Sequence, residues 1–299
     1  MSESSLNKSR NFFVCKGILS EKCSLVKGKG RVPMFIEHGV KYEIYKDGQK
    51  TGEFDTCDRI FGMITIETQD GVMDFQISAK SKTSTGEENK RWRMFETIAE
   101  EWNPKIGGSG EPDFVTVSGT VAIYDQPSKD GKVYPKLQWN ATSKCDRIAA
   151  DWENSGCSLT ASAYIKAVNP EVVKEEETGR YKVSAYGVDG RGQVFPVDFF
   201  VDGDEAVEFI TDEVSVGDTL SFDANRMVRT IGGGNSNTKK SFGANRVNTN
   251  SGFSVDELIL TAAEIIEEPD ELTTEDEDGN EIPIKTMWLN PTTVKKAIK

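Results

Sequence analysis

Positive charges and aromatic rings recur together along this chain at spacings that place them on one face of a strand. Arg180, Lys182 and Tyr186 share a parity, as do Arg59 and Phe61 with Met63; Gln76 and Lys80 join that face from the next strand-like run. Successive strand side chains point to opposite faces, so residues of equal parity line one surface. Two further groups fall in or near loops: Lys132, Tyr134 and Lys136, and then Arg226, Arg229, Lys239, Lys240, Phe242 and Arg246. Lysine and arginine neutralise phosphates, and unpaired bases stack on rings at ~1–3 kcal/mol per base. Together they suit single-stranded nucleic acid. The plainer alternative is that strand aromatics fill a core and loop lysines solvate turns.

Catalytic constellations lack their parts. The chain has one histidine, His38, so imidazole-rich metal sites and His-based triads cannot be assembled. The glycine-rich run 187–192 joins two strand-like segments, whereas a dinucleotide fingerprint needs a strand-to-helix turn. Gly232, Gly233 and Gly234 are not followed by the Lys-Ser/Thr of a phosphate loop. Cysteines 15, 23, 57, 145 and 157 offer no Cys-x-x-Cys pair and read as free thiols in or near strands. Asp202, Asp204 and Glu205 fit a helix start. Asp276 to Asn280 is similar to part of a calcium loop, but its glycine is fourth instead of sixth, and Met287 stands where the bidentate Glu belongs. The expectation is a protein that is not an enzyme and needs no cofactor or metal. A metal-dependent nuclease is the rival that would require the carboxylates of 198–205 to converge.

Those residues need elements to hold them. Residues 157–168 alternate as a strand, broken at Asn169-Pro170 and followed by a charged loop, 171–179. Strands at 181–186 and 194–201 meet at an Asp189-Gly190 hairpin signal. A short helix at 205–212, a strand at 219–230, a Gly/Asn/Ser-rich loop and a last strand ending at Leu260 complete the series. That is the order of a five-stranded OB barrel. The first half repeats it: a strand at 12–19 with a bend at Gly17, strands at 61–67 and 72–78 joined by Asp70-Gly71, a helix at 90–102, then strands at 114–124 and 133–142. The predicted fold is mainly β with short helices, two tandem OB-fold-like five-stranded barrels plus an acidic C-terminal tail. Residues 1–153 form the first domain, with an insertion at 20–58 carrying its own hairpin at Asp47-Gly48. Residues 154–263 form the second, and 264–299 a largely flexible tail ending in a helix capped by Asn290-Pro291.

The formal charge of −13 is unevenly spread. Ten acids and no Lys or Arg lie within 264–281, while 224–255 holds only positive charges. Local charge, not the net value, sets a binding groove. No apolar run is long enough to span a bilayer, and the first residues lack a secretory signal, so the expected compartment is the cytoplasm.

Residues 163–170 (AYIKAVNP), 179–187 (GRYKVSAYG), 195–200 (FPVDFF) and 242–247 (FGANRV) together resemble phage-encoded single-stranded DNA-binding proteins with tandem OB-folds. The resemblance implies coating of single strands in phage DNA replication or recombination, in the host cytoplasm, with RNA an open alternative to DNA. It also implies an acidic tail that recruits replication or recombination proteins, and self-association is a further expectation. Here the acidic run with Ile282-Pro283-Ile284 is internal and Lys295, Lys296 and Lys299 follow it, so a partner reading a terminal carboxylate would not find it there. The rival class is a structural or scaffold module of a phage particle or replication complex, acting without nucleic acid.

Overall fold

The computed structural model describes residues 11–127, 133–173, 175–188, 192–231, 253–269, 273–275, 281–283 and 288–298. Its strands are β1 (Asn11–Val26), β2 (Gly30–Pro33), β3 (Glu37–Lys46), β4 (Gln49–Thr68) and β5 (Gly71–Lys80), followed by helix α1 (Trp92–Glu100). Then come β6 (Phe114–Pro127), β7 (Val133–Asn140) and the short β8 (Cys145–Arg147). The second half has β9 (Gly156–Val173), β10 (Glu176–Val188), β11 (Val194–Val201), helix α2 (Asp204–Glu208), β12 (Thr219–Ile231) and β13 (Phe253–Ile266). A two-strand ladder, β14 (Thr273–Glu275) with β15 (Glu281–Pro283), and helix α3 (Pro291–Ala297) follow.

Hydrogen bonding closes the strands into two barrels. In the first, β1, β4, β5, β7 and β6 pair in that order and β6 returns to β1; β5 meets β7 in parallel at Gln76 and Asn140. In the second, β9, β10, β11, β13 and β12 do the same, with β11 parallel to β13 at Phe200 and Ile259. Both are five-stranded closures of the OB type. Gly17 sits where β1 leaves one neighbour for another. A Cβ there would lie 2.4 Å from the Glu67 carbonyl oxygen, so only glycine lets the strands approach so closely.

Each barrel is packed by inward residues of alternating strands. Phe13 stacks on Phe75 with centroids 5.2 Å apart, and Trp139 meets Phe13 edge-on. Helix α1 adds Phe95 and Ile98, both buried, with Trp102 just beyond it. In the second barrel Phe199 stacks on Phe222 at 4.7 Å. The barrels share a ladder as well: the first strands β1 and β9 pair antiparallel from Asn11 with Ala161 to Lys16 with Gly156. One contiguous apolar core therefore runs through both.

Three sequence expectations are corrected. The strands that flank segment 20–58 are longer than expected: β1 runs on to Val26, and β4 runs unbroken from the arm into the strand expected at 61–67. The arm turns at Asp47 and Gly48, both with positive φ, as a two-residue hairpin with Asp-Gly favours. Pro170 does not end its strand, because β9 continues to Val173 and Pro170 pairs opposite Tyr181. Beyond the core, that strand has no described partner on its other edge, where a missing N–H costs little. Finally, the far end of the tail is docked. Leu289 and Val294 are fully buried against Tyr164 and Val188, and the Leu289 amide donates to Thr219 Oγ1 at 3.0 Å. Helix α3 starts as its sequence predicts, with Asn290 accepting from the Thr292 and Thr293 amides behind Pro291.

Candidate nucleic-acid interface

The alternation along β4 separates two faces. Ile60, Ile64 and Ile66 are fully buried in the barrel, so Arg59, Phe61 and Met63 stand on the outer surface. On β5 the same logic buries Phe75 and Ile77 and turns Asp74 and Gln76 outward. Phe61, 37% exposed, forms a ridge between two clefts. One, of about 230 Å³, is lined by Leu25, Lys27, Phe35 and Arg59 besides Phe61 itself. The other, of about 690 Å³, adds Met63, Val72, Tyr124, Leu137 and Trp139 from the first barrel. Its remaining wall comes from the second barrel: Arg226 and Val228 on β12 and Asp256 on β13.

The wall is held in place by the β4–β5 turn. The Val228 amide donates to the Asp70 carbonyl at 2.7 Å, and the Gln69 amide donates to Ser155 Oγ at 3.1 Å. Gly71, at φ +117°, lies so close to Val228 that a Cβ would meet its carbonyl oxygen at 2.3 Å. Burial raises the Asp70 carboxyl above its ordinary value. A surface groove thus becomes an inter-barrel cleft with rings on one side and charge on the other.

A family model described as YorF matches residues 28–277 of the chain. The chain belongs to the YorF family. Among solved structures, this YorF-family chain is similar to the wild-type single-stranded DNA binding protein from Thermus aquaticus, with a TM-score of 0.47 and 9% identity over 88% of this chain and 96% of that one. A deletion mutant of the same Thermus aquaticus protein aligns at a TM-score of 0.44, again with 9% identity, over 88% and 99% of the two chains. No curated protein matches the chain in sequence.

The cations singled out in the sequence of this YorF-family member divide by burial. Arg59 donates to Glu37 at 3.0 Å through Nε, and Lys182 pairs with Asp198 at 2.8 Å. All four side chains are between 41 and 46% exposed, and such pairs contribute about 0–1 kcal/mol, so a phosphate can exchange for the carboxylate. Arg180 and Arg226 differ. Arg180 is held by Glu171 and Glu257 and lies 4.6 Å over the Phe200 ring. Arg226 is buried, bound to Asp256 and stacked on Trp139. Their charge is committed inside the protein, which a parity argument could not show, because the partner acids come from other strands.

Lys80 is exposed and lies 5.5 Å over the Tyr42 ring at the base of the β3–β4 arm. Tyr186 is half-buried and packs against the cluster that receives α3, with Lys166 over its ring. Arg229, Tyr134 and Lys136 belong to strands, but their side chains lie outside the described residues, as do Lys132, Lys239, Lys240, Phe242 and Arg246 entirely. Lys27, Phe35, Tyr124 and the Asp256 carboxylate are among the site residues that sequence reading missed. Parity applied to the fourth strand would have found Tyr124. Phe35 fell in the segment read as an insertion, and only the joining of two barrels brings Asp256 to the cleft. Among the described residues, no group of His, Cys, Asp and Glu is arranged to hold a metal ion, and no helix is long and apolar enough to cross a membrane.

Proposed function

We propose that this chain binds single-stranded DNA without catalysing a reaction, and that it does so in DNA replication or recombination. The observation that carries the reading is the exposed Phe61 ridge between two clefts lined by Phe35 and Tyr124, on the outer face of the strands that OB barrels use for oligonucleotides. Flat rings supply stacking for bases of any sequence, and the half-exposed Arg59 and the exposed Lys27 supply charge for the backbone. The phage setting rests on the sequence resemblance, and RNA competes with DNA for the same chemistry. Recruitment of replication or recombination proteins by the acidic segment 264–281 and self-association belong to the same proposal.

The test is a fluorescence-anisotropy titration with an oligo-dT of ~30 nucleotides, long enough to engage both barrels. Binding at micromolar or tighter affinity in low salt is expected, weakening with log[salt] at a slope of about −0.7 per phosphate contacted. Phe61→Ala removes one stacking surface and lowers affinity by about 5- to 150-fold, the equivalent of ~1–3 kcal/mol. Absence of binding at low salt overturns the reading, and stable self-assembly without nucleic acid would then favour a scaffold role.

A further inference from the structure

The inter-barrel cleft presents charge of a kind that suits a base edge better than a phosphate. Arg226 donates from Nε to Asp256 Oδ1 at 3.0 Å and from Nη2 to Oδ2 at 2.7 Å. Its guanidinium lies 4.4 Å over the Trp139 ring and 5.5 Å over that of Phe75. Only 7% of the Arg226 side chain is exposed, against 49% of the Asp256 side chain. The arginine is therefore spent, and what the cleft meets is a carboxylate fixed in orientation by a stacked, bidentate partner. Asp74 lines the same cleft, with its own positive partner, Arg31, bound at 2.5 Å. A phosphate entering here would face two carboxylates whose counter-charges are already engaged. A base would bring N–H donors to acceptors that are pre-organised for them.

We propose that this cleft is a base-reading subsite that takes guanine, with Asp256 accepting from its N1–H and N2–H donors. The inference rests on the single-strand reading above. A carboxylate only accepts, and its two oxygens suit two adjacent donors. Guanine alone among the DNA bases offers such a pair on its Watson–Crick edge. Cytosine and adenine place an acceptor beside their amino group, and thymine flanks its one imino donor with carbonyls. Phe61 and Tyr124 provide ring faces in the same cleft, whose volume of about 690 Å³ falls within the range of small-ligand sites. One position of an otherwise sequence-tolerant footprint is thereby selective.

The experiment compares three ~30-nucleotide oligomers on the full chain by anisotropy: all-dT, dT with one central dG, and dT with one central deoxyinosine, which keeps N1–H but lacks the amino group. A bidentate base contact discriminates by about 5- to 150-fold, so the dG oligomer should bind at least about fivefold tighter than all-dT, with deoxyinosine between them. Asp256→Asn should collapse the ratio of dG to dT affinity to about one. Equal affinities in the unaltered protein, or a ratio that survives Asp256→Asn, overturn the subsite while leaving single-strand binding intact. Failure of every oligomer to bind overturns the single-strand reading itself. The deoxyinosine comparison needs no variant, so it decides the matter even where Asp256→Asn does not fold.

Discussion

At the scale of single residues, burial decides what a charge is for. Arg59 and Arg226 are both cations singled out in the sequence, yet the first is solvated and exchangeable and the second is locked beneath a carboxylate. Asp70 shows the same rule for an acid. Its carboxyl is raised by burial, so between the ordinary value of 3.8 and the raised one the native state holds a proton that the unfolded chain has released. Stability falls as pH climbs through that window, and above it the ionised carboxylate carries a constant cost. Asp70→Asn removes the cost while keeping the backbone carbonyl that receives the Val228 amide. The variant should melt at a higher temperature than the parent at pH 7, and the gain should vanish below pH 3.8. A thermal melt followed across pH checks this; a lower melting temperature at pH 7 would mean that the carboxylate is stabilising as an ion.

Elements were more legible than their ends. Hairpin signals at Asp47-Gly48 and Asp70-Gly71, the helical spacing of Phe95 and Ile98, and the alternation of Ile60, Ile64 and Ile66 each follow from local chemistry, and each is present. Local chemistry could not show that β4 carries on through the arm, or that Leu289 and Val294 find the second barrel, because both depend on partners distant in sequence. The site divides in the same way. Phe61 and Arg59 were visible by parity, whereas the wall built by Arg226 and Asp256 exists only because the β4–β5 turn docks on β12. Gly71 makes that docking sterically feasible. Gly71→Ala puts a Cβ 2.3 Å from the Val228 carbonyl oxygen and strains a residue at φ +117°, each at a cost on the order of 1–3 kcal/mol. Urea titration should show a lower unfolding free energy by that amount, and a midpoint lowered by that cost divided by the slope m. An unchanged midpoint would mean that the turn does not hold the barrels together.

At the scale of the molecule, the two barrels are one body. A flexible linker alone would leave them free to move against each other, but here the link is of another kind. Six residue pairs of β1 and β9 form a ladder between the barrels, the β4–β5 turn adds the Val228–Asp70 and Gln69–Ser155 hydrogen bonds, and Arg226 reaches across to stack on Trp139. The apolar core is continuous through the junction, with Phe13, Cys15, Cys157 and Leu159 buried where the ladder runs. Unfolding one barrel would strip backbone partners from the first strand of the other and open its core to water, so neither can leave without destabilising its neighbour. The consequence is cooperativity beyond the size of a single small domain. Calorimetry should show one transition whose van't Hoff and calorimetric enthalpies agree, although each barrel has its own stacked aromatic pair, Phe13–Phe75 and Phe199–Phe222. Gly71→Ala should sharpen the test, because a weakened junction is where such a transition would first split. Two resolved transitions in the unaltered chain would show that the ladder is too weak to couple the barrels, and with it would fall the fixed inter-barrel wall on which a selective cleft depends.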